Sequence, residues 1–300
     1  MNRRDFIKKA GLLTAGLSVS PITSWGMNKE RLVILHTNDW HSHIHPFSLN
    51  HKKYPGMGGA SRRASIIKEI RSKYKNVLLL DSGDIFQGTP YFNQYGGELE
   101  FKLMSEMDYD VATLGNHDFD LGIEGLNKQL PHASFKFLCA NYDFKNTLLD
   151  GHIDPYTIIK KGKFKVGIFG IGIELNGLVP TELYGNIIYH NPINRANQIA
   201  KKLKSAGCHL VICLSHLGYN YKSEKVSDVI LAKNSENIDL ILGGHTHTFL
   251  KVPHKIRNQI NETVFINQTG WAGLNLGRID YEHNSNDMAH LHNYSYKKIS

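Results

Sequence analysis

A chain of 300 residues that is 41% hydrophobic can bury a full core, as one large α/β domain or two small ones. Three cysteines, Cys139, Cys208 and Cys213, without any Cys-x-x-Cys spacing, exclude a disulfide framework and a thiolate metal site; Cys139 and Cys213 sit in apolar runs and read as buried small hydrophobes. The net charge of +8 comes without a dense Lys/Arg stripe interleaved with aromatics, which argues against a nucleic-acid partner, although a modest positive field would attract an anionic substrate.

In chain order, Arg3, Arg4, Lys8 and Lys9 against Asp5 place +3 of that charge in the first 27 residues, ahead of a short, mildly apolar stretch from Ala10 to Val19. A basic start followed by a diluted apolar segment is signal-peptide anatomy, too short and too weakly apolar for a membrane span. The paired arginines followed by Phe6 resemble a twin-arginine export signal, and no cysteine near its end marks a lipoprotein anchor. Residues 1–27 are therefore expected to be a signal peptide, and residues 28–300 a periplasmic or secreted protein with no stable membrane anchor.

From Arg31 onward strand and helix patterns alternate. Apolar runs at Leu32–Leu35, Val77–Leu80, Val111–Leu114, Leu210–Leu214 and Leu240–Leu242 predict strands, as do Phe137–Ala140 and a hairpin of Thr157–Lys160 with Lys165–Ile171 around Gly162. Helical spacing predicts helices over Ala60–Tyr74, Glu98–Met107, Ile123–Leu130 (stopped by Pro131), Pro192–Ser205 (ended at Gly207) and Val226–Lys233. Asn50–Gly59 and Tyr91–Gly97 read as loops. After Gly243 the helices stop, and Val264–Ile266, Leu274–Tyr281 and His290–Tyr296 read as strands.

A ligand-bearing motif follows each of the five apolar runs ending at Leu35, Leu80, Leu114, Leu214 and Leu242: Asn38-Asp39-Trp40-His41, Asp81-Ser82-Gly83-Asp84, Gly115-Asn116-His117-Asp118, Ser215-His216 and Gly243-Gly244-His245-Thr246-His247. Open α/β sheets place their sites beyond the carboxyl ends of strands. Asp39 and His41, one residue apart on extended chain, can share one metal ion, and His245 and His247 repeat that spacing. Asp84, at the tip of a tight turn, can bridge two cations; Asn116 offers a carbonyl oxygen and His216 an imidazole. Together these supply two oxygen-and-nitrogen sites suited to two divalent ions such as Zn or Mn. Such ions, roughly 3.5–4 Å apart, clamp the attacking and leaving oxygens of a phosphoryl displacement.

His117 is a poor third ligand; paired with a carboxylate it would be a protonated group that stabilises the transition state and protonates the leaving group. Asp120 is within reach if the chain turns into a helix, and Asp118 competes for the same role. His36, His43 and His45 read as structural or surface residues, as do His190, His209, His254, His283, His290 and His292. Trp271 and Tyr219 could line a cleft, with core packing as the default.

This ordered set, with Leu35-His36-Thr37-Asn38-Asp39 and Gly115-Asn116-His117-Asp118-Phe119-Asp120, resembles the 5′-nucleotidase branch of the calcineurin-like metallophosphoesterases, over nearly the whole chain from Arg31 to about Tyr281. The resemblance implies an α/β, four-layer sandwich of two mixed sheets flanked by helices. It implies that Asp39, His41, Asp84 and His247 hold one metal, that Asp84, Asn116, His216 and His245 hold the other, and that His117 with Asp120 is the catalytic dyad. The implied activity is release of phosphate from nucleotides, with a UDP-sugar diphosphatase or cyclic-nucleotide phosphodiesterase as the alternative enzyme and a non-catalytic metal- or partner-binding relative as the alternative class. Nucleotide-hydrolysing relatives usually carry a second, base-stacking domain; with the chain ending at Ser300, a separate nucleoside-binding chain is the expected source of that function.

Overall fold

Leu32 and Ile34 face one way from the first strand, while Val33 and Leu35 face the other, and this alternation organises the molecule. The computed structural model describes residues 30–283 and 289–300; the expected signal segment lies outside the described residues. The elements run β1 (Arg31–Thr37), α1 (Ala60–Lys73), β2 (Asn76–Asp81), α2 (Pro90–Tyr95), α3 (Glu98–Glu106), β3 (Val111–Thr113), α4 (Gly122–Gln129), β4 (Lys136–Leu138) and β5 (Tyr142–Asp143). They continue with β6 (Tyr156–Lys161), β7 (Phe164–Ile171), α5 (Thr181–Tyr184), β8 (Ile188–Tyr189), α6 (Pro192–Ser205), β9 (Leu210–Ser215), α7 (Asp228–Lys233) and β10 (Leu240–Gly243). Four strands close the chain: β11 (His254–Arg257), β12 (Thr263–Asn267), β13 (Asn275–His283) and β14 (Ala289–Lys298).

Two six-stranded mixed sheets result, ordered β14-β13-β1-β2-β3-β4 and β11-β12-β10-β9-β7-β6, with β5 and β8 forming a small third pair. In the first sheet β1 to β4 are parallel and β13 runs antiparallel to both its neighbours, β1 and β14; in the second β7, β9, β10 and β12 are parallel, with β6 and β11 antiparallel at the edges. The inward set, including Leu32, Ile34, Leu78, Leu80, Ile168, Leu210, Ile212, Leu214, Leu240 and Leu242, packs sheet against sheet. The outward set on β1 and β2 packs under α1, α3 and α4, and Val211, Cys213 and Ile241 pack under α6 and α7. Both faces of the central strands are buried, which is why their sequences are unbroken apolar runs. Cys139 and Cys213 are buried in this core, as expected.

Three expectations change. Tyr91–Gly97 is not all loop: Pro90 at the first position sets the helical φ, Phe92 buries its ring, and Gly96, in the left-handed region at φ 61°, closes the short helix α2. The helix expected from Val226 begins at Asp228, because the Ser227 hydroxyl caps it by accepting the Ile230 N–H at 3.3 Å. The edge strand β11, with Ile256 as its one buried residue, and the short pieces α5, β5 and β8 add to the elements that the pattern predicts.

Candidate metal centre

The carboxyl ends of β1, β2, β3, β9 and β10 meet at one rim, so the loops that follow them converge. Asp39, His41 and His247 bring a carboxylate oxygen and two imidazole nitrogens within 4.8 Å of one another; Asp84, His216 and His245 do the same. Asn116 joins the second group, its Oδ1 lying 2.9 Å from His245 Nδ1. Asp84 Oδ2 stands between the groups, 3.0 Å from His216 Nε2 and 3.8 Å from His41 Nε2.

The backbone is bent to achieve this. Asp39, His41, Asp84, His245 and His247 all adopt positive φ, between 51° and 70°. Non-glycine residues rarely occupy that region and do so at a cost, so five cases among seven converging side chains locate where the fold stores strain. Two motif glycines provide room: a Cβ on Gly115 would sit 2.1 Å from Asp84 Oδ1, and one on Gly244 would sit 2.8 Å from His216 Nδ1.

The donor set fits divalent cations. His216 Nδ1 donates to the Ser82 carbonyl at 2.6 Å, which turns the buried Nε2 toward the Asp84 carboxylate 3.0 Å away. His41 Nε2 and His247 Nε2 face each other at 3.0 Å beside Asp39 Oδ1, which is 3.9 Å and 3.4 Å from them. Converging lone pairs of this kind need positive charge between them. The titration behaviour reports the same demand: burial alone would lower the His216 pKa, but the neighbouring Asp84 carboxylate raises it to about 10. Burial would likewise raise Asp84, yet His216 and His41 hold it below the usual carboxylate range. His245 is pushed down to about 4 by burial and by His216, so it stays an uncharged ligand-type imidazole.

His117 stands at the edge, half-buried, its ring 5.3 Å from that of His41. Its Nδ1 lies 2.9 Å from Asp120 Oδ2, and that hydrogen bond raises its pKa above the ordinary histidine value. Asp118 is engaged elsewhere. Its buried carboxylate accepts the backbone N–H groups of Gly115, Asp84, Ile85 and Phe86 at 2.8 to 3.2 Å.

Further residues stand around these ligands. Asn38 Oδ1 accepts the N–H of Thr269 at 2.9 Å, and its amide donates to Asp39 Oδ2 and to the Gly270 carbonyl. His36 is fully buried, and His43 and Phe47 stack. Tyr219 packs against the second sheet's outer core and pairs its hydroxyl with His254 Nδ1, as a core aromatic. Trp271 departs from that default: it lies half-buried at the site, parallel to the His247 ring.

Known proteins are similar to this chain. The calcineurin-like phosphoesterase family model matches residues 32–249. A snake venom 5′-nucleotidase from Crotalus adamanteus is 37% identical over 230 residues, 73% of this chain and 37% of that protein. Among solved structures, a 5′-nucleotidase precursor from Thermus thermophilus superposes with a TM-score of 0.81 at 29% identity, covering 90% of this chain and 54% of that one. The NAD nucleotidase of Haemophilus influenzae gives 0.79 at 29% identity, over 90% of this chain and 56% of that one. The chain thus spans between about a third and a little over half of these relatives' lengths. A family match over most of the chain, on the strands and loops that build the site, places it among the calcineurin-like phosphoesterases, in the branch that holds the 5′-nucleotidases.

Proposed function

We propose that the protein is an exported, two-metal phosphomonoesterase that releases phosphate from nucleotides. The observation that carries this reading is the position of Asp84 Oδ2 between two clusters of carboxylate and imidazole. Asp39, His41, Asp84 and His247 would hold one ion, and Asp84, Asn116, His216 and His245 the other. When bound, the ions would supply positive charge for the phosphoryl oxygens and acidify an attacking water. The protein's own part is geometric: strained loops fix the ligands in advance, and Ser82 O and Phe86 O hold His216 and His41 in the tautomer that frees Nε2.

His117 has the proton-donor role. With Nδ1 paired to Asp120, its Nε2 carries the transferable proton to the leaving oxygen of the ester. Nucleotides as substrates are supported by the 5′-nucleotidase and NAD nucleotidase among the relatives. A separate nucleoside-binding chain remains part of the proposal. Export by the twin-arginine route, to the periplasm or beyond, rests on Arg3, Arg4 and Phe6. Among the described residues no helix is long and apolar enough to cross a membrane.

The test is metal content of the purified protein together with chromatographic product analysis for 5′-nucleotides, cyclic nucleotides and UDP-sugars, and release of p-nitrophenol from p-nitrophenyl phosphate. Two equivalents of metal and chelator-sensitive hydrolysis of 5′-nucleotides are expected. Metal without hydrolysis of any ester would make the protein a binding relative instead, preference for UDP-sugars a diphosphatase, and preference for cyclic nucleotides a phosphodiesterase.

A further inference from the structure

Among the imidazoles of the two clusters, three are anchored by polar contacts. His216 Nδ1 lies 2.6 Å from the Ser82 carbonyl, His41 Nδ1 lies 3.3 Å from the Phe86 carbonyl, and His245 Nδ1 lies 2.9 Å from Asn116 Oδ1, with its backbone N–H on Asp39. His247 differs. Its Nε2 faces His41 and Asp39, its side chain is 39% exposed, and among the described residues no polar atom reaches its Nδ1. Among the described residues, polar contacts reach that ring through Nε2 alone.

Trp271 occupies the place of the missing hydrogen bond. Its ring lies 5.3 Å from that of His247 with 3° between the planes. The indole is itself braced by T-shaped contacts with His43 and Phe47, ring centres 5.2 Å and 6.0 Å away. Its loop is tied to the loop that carries Asp39: the Ala272 N–H donates to the Asp39 carbonyl at 2.7 Å, and Asn38 donates to the Gly270 carbonyl at 2.6 Å. Gly270, Ala272 and Gly273 all take positive φ, a path that turns the chain sharply around the indole. The segment that sets Asp39 therefore also sets the wall against which His247 rests.

We propose that Trp271 is a positioning residue for His247, holding the imidazole in its ligating plane by stacking where its neighbours use hydrogen bonds. The stack also discriminates between states. An imidazole that has given its Nε2 lone pair to a dication carries positive charge, and an electron-rich indole face attracts such a ring more than a neutral one. Trp271 thus favours the occupied form of the His247 cluster. This inference rests on the two-ion reading given above.

The experiment is a Mn²⁺ titration of the full chain after chelation, followed by calorimetry and elemental analysis, for the parent and for Trp271→Leu and Trp271→Phe. Partners that orient metal ligands are typically worth 10- to 100-fold in affinity, and Trp271→Leu should weaken one of two sites by roughly that factor while leaving the other within about threefold. Trp271→Phe, which keeps an aromatic face, should recover most of the loss. If the parent binds two ions and Trp271→Leu binds both with parental affinity, the stacking role is wrong. Equal weakening of both sites with a lowered melting temperature would also overturn it, since that marks a folding role. A parent that binds fewer than two ions removes the two-ion reading itself, and this inference with it.

Discussion

The Asp118 carboxylate ties the loop after β3 to the loop after β2: its Oδ2 lies 3.0 Å from the Asp84 N–H and 2.8 Å from that of Gly115, while Oδ1 takes the N–H groups of Ile85 and Phe86. Asp84 is held at φ 55° by this clamp, so the side chain that would bridge two ions depends on a neighbour that touches none. Asp118→Asn turns an amide NH₂ toward N–H donors and leaves at least one of them buried without an acceptor, a change worth about 1–3 kcal/mol for each such group. Urea unfolding should show that loss, together with reduced bound metal. A variant as stable as the parent would mean the clamp is not needed to hold the loop.

Removing the bridging charge should act on both clusters. Asp84→Asn is expected to lower the content of both metals after dialysis, because Asp84 Oδ2 lies near His216 and His41 alike. His41→Ala should empty mainly one. Loss of a single equivalent from Asp84→Asn would remove the bridging assignment.

His117→Ala should lower kcat by roughly 10²- to 10⁴-fold, the usual worth of a positioned acid, with metal content near the parent level. Asp120→Asn should follow more mildly, since it removes only the partner at 2.9 Å that orients the ring. Collapse of metal content in His117→Ala would make His117 a ligand.

The layers and most of the site are legible in the sequence because one physical rule governs both. Strands buried on two faces must be continuous apolar runs, so the polar stretches that open within a few residues of Leu35, Leu80, Leu114, Leu214 and Leu242 lead to the rim. What spacing leaves open is direction. His117, Asp118 and Phe119 form a 3₁₀ turn, in which residues three apart eclipse; this sets Asp120 beside His117 and sends Asp118 inward. Neither outcome follows from composition alone. Helix α2, at six residues, is too short for a periodic signal, and the edge strand β11 buries only Ile256. Trp271 carries no periodic mark at all, since its place beside His247 depends on loops that meet only in the fold.

Export is testable independently of the site. Arg3→Lys with Arg4→Lys keeps the charge but removes the pair that a twin-arginine receptor reads, so a longer precursor should accumulate in the cytoplasm. Normal export of the double variant, seen by fractionation and intact mass, would assign the general secretory route.

The remaining prediction concerns His36, which sits in β1 opposite Gly277, where a Cβ would come 2.1 Å from its Nε2. The ring is fully buried with neither nitrogen hydrogen-bonded among the described residues, and burial drives its pKa from 6.5 down to about 3. The folded protein therefore keeps His36 neutral, while the unfolded chain binds a proton below 6.5. Between those values the unfolded state holds more protons, so stability rises with pH across that window, is fully present above 6.5 and is lost as pH falls toward 3. His36→Leu removes the titrating group while keeping an apolar side chain in the space that Gly277 leaves. Its urea midpoint should change less than that of the parent between about pH 7.5 and about pH 4.5, whatever its absolute stability. Parallel pH dependence in the two proteins would show that acid sensitivity arises from other buried groups and that His36 takes up its proton equally in the folded and unfolded states.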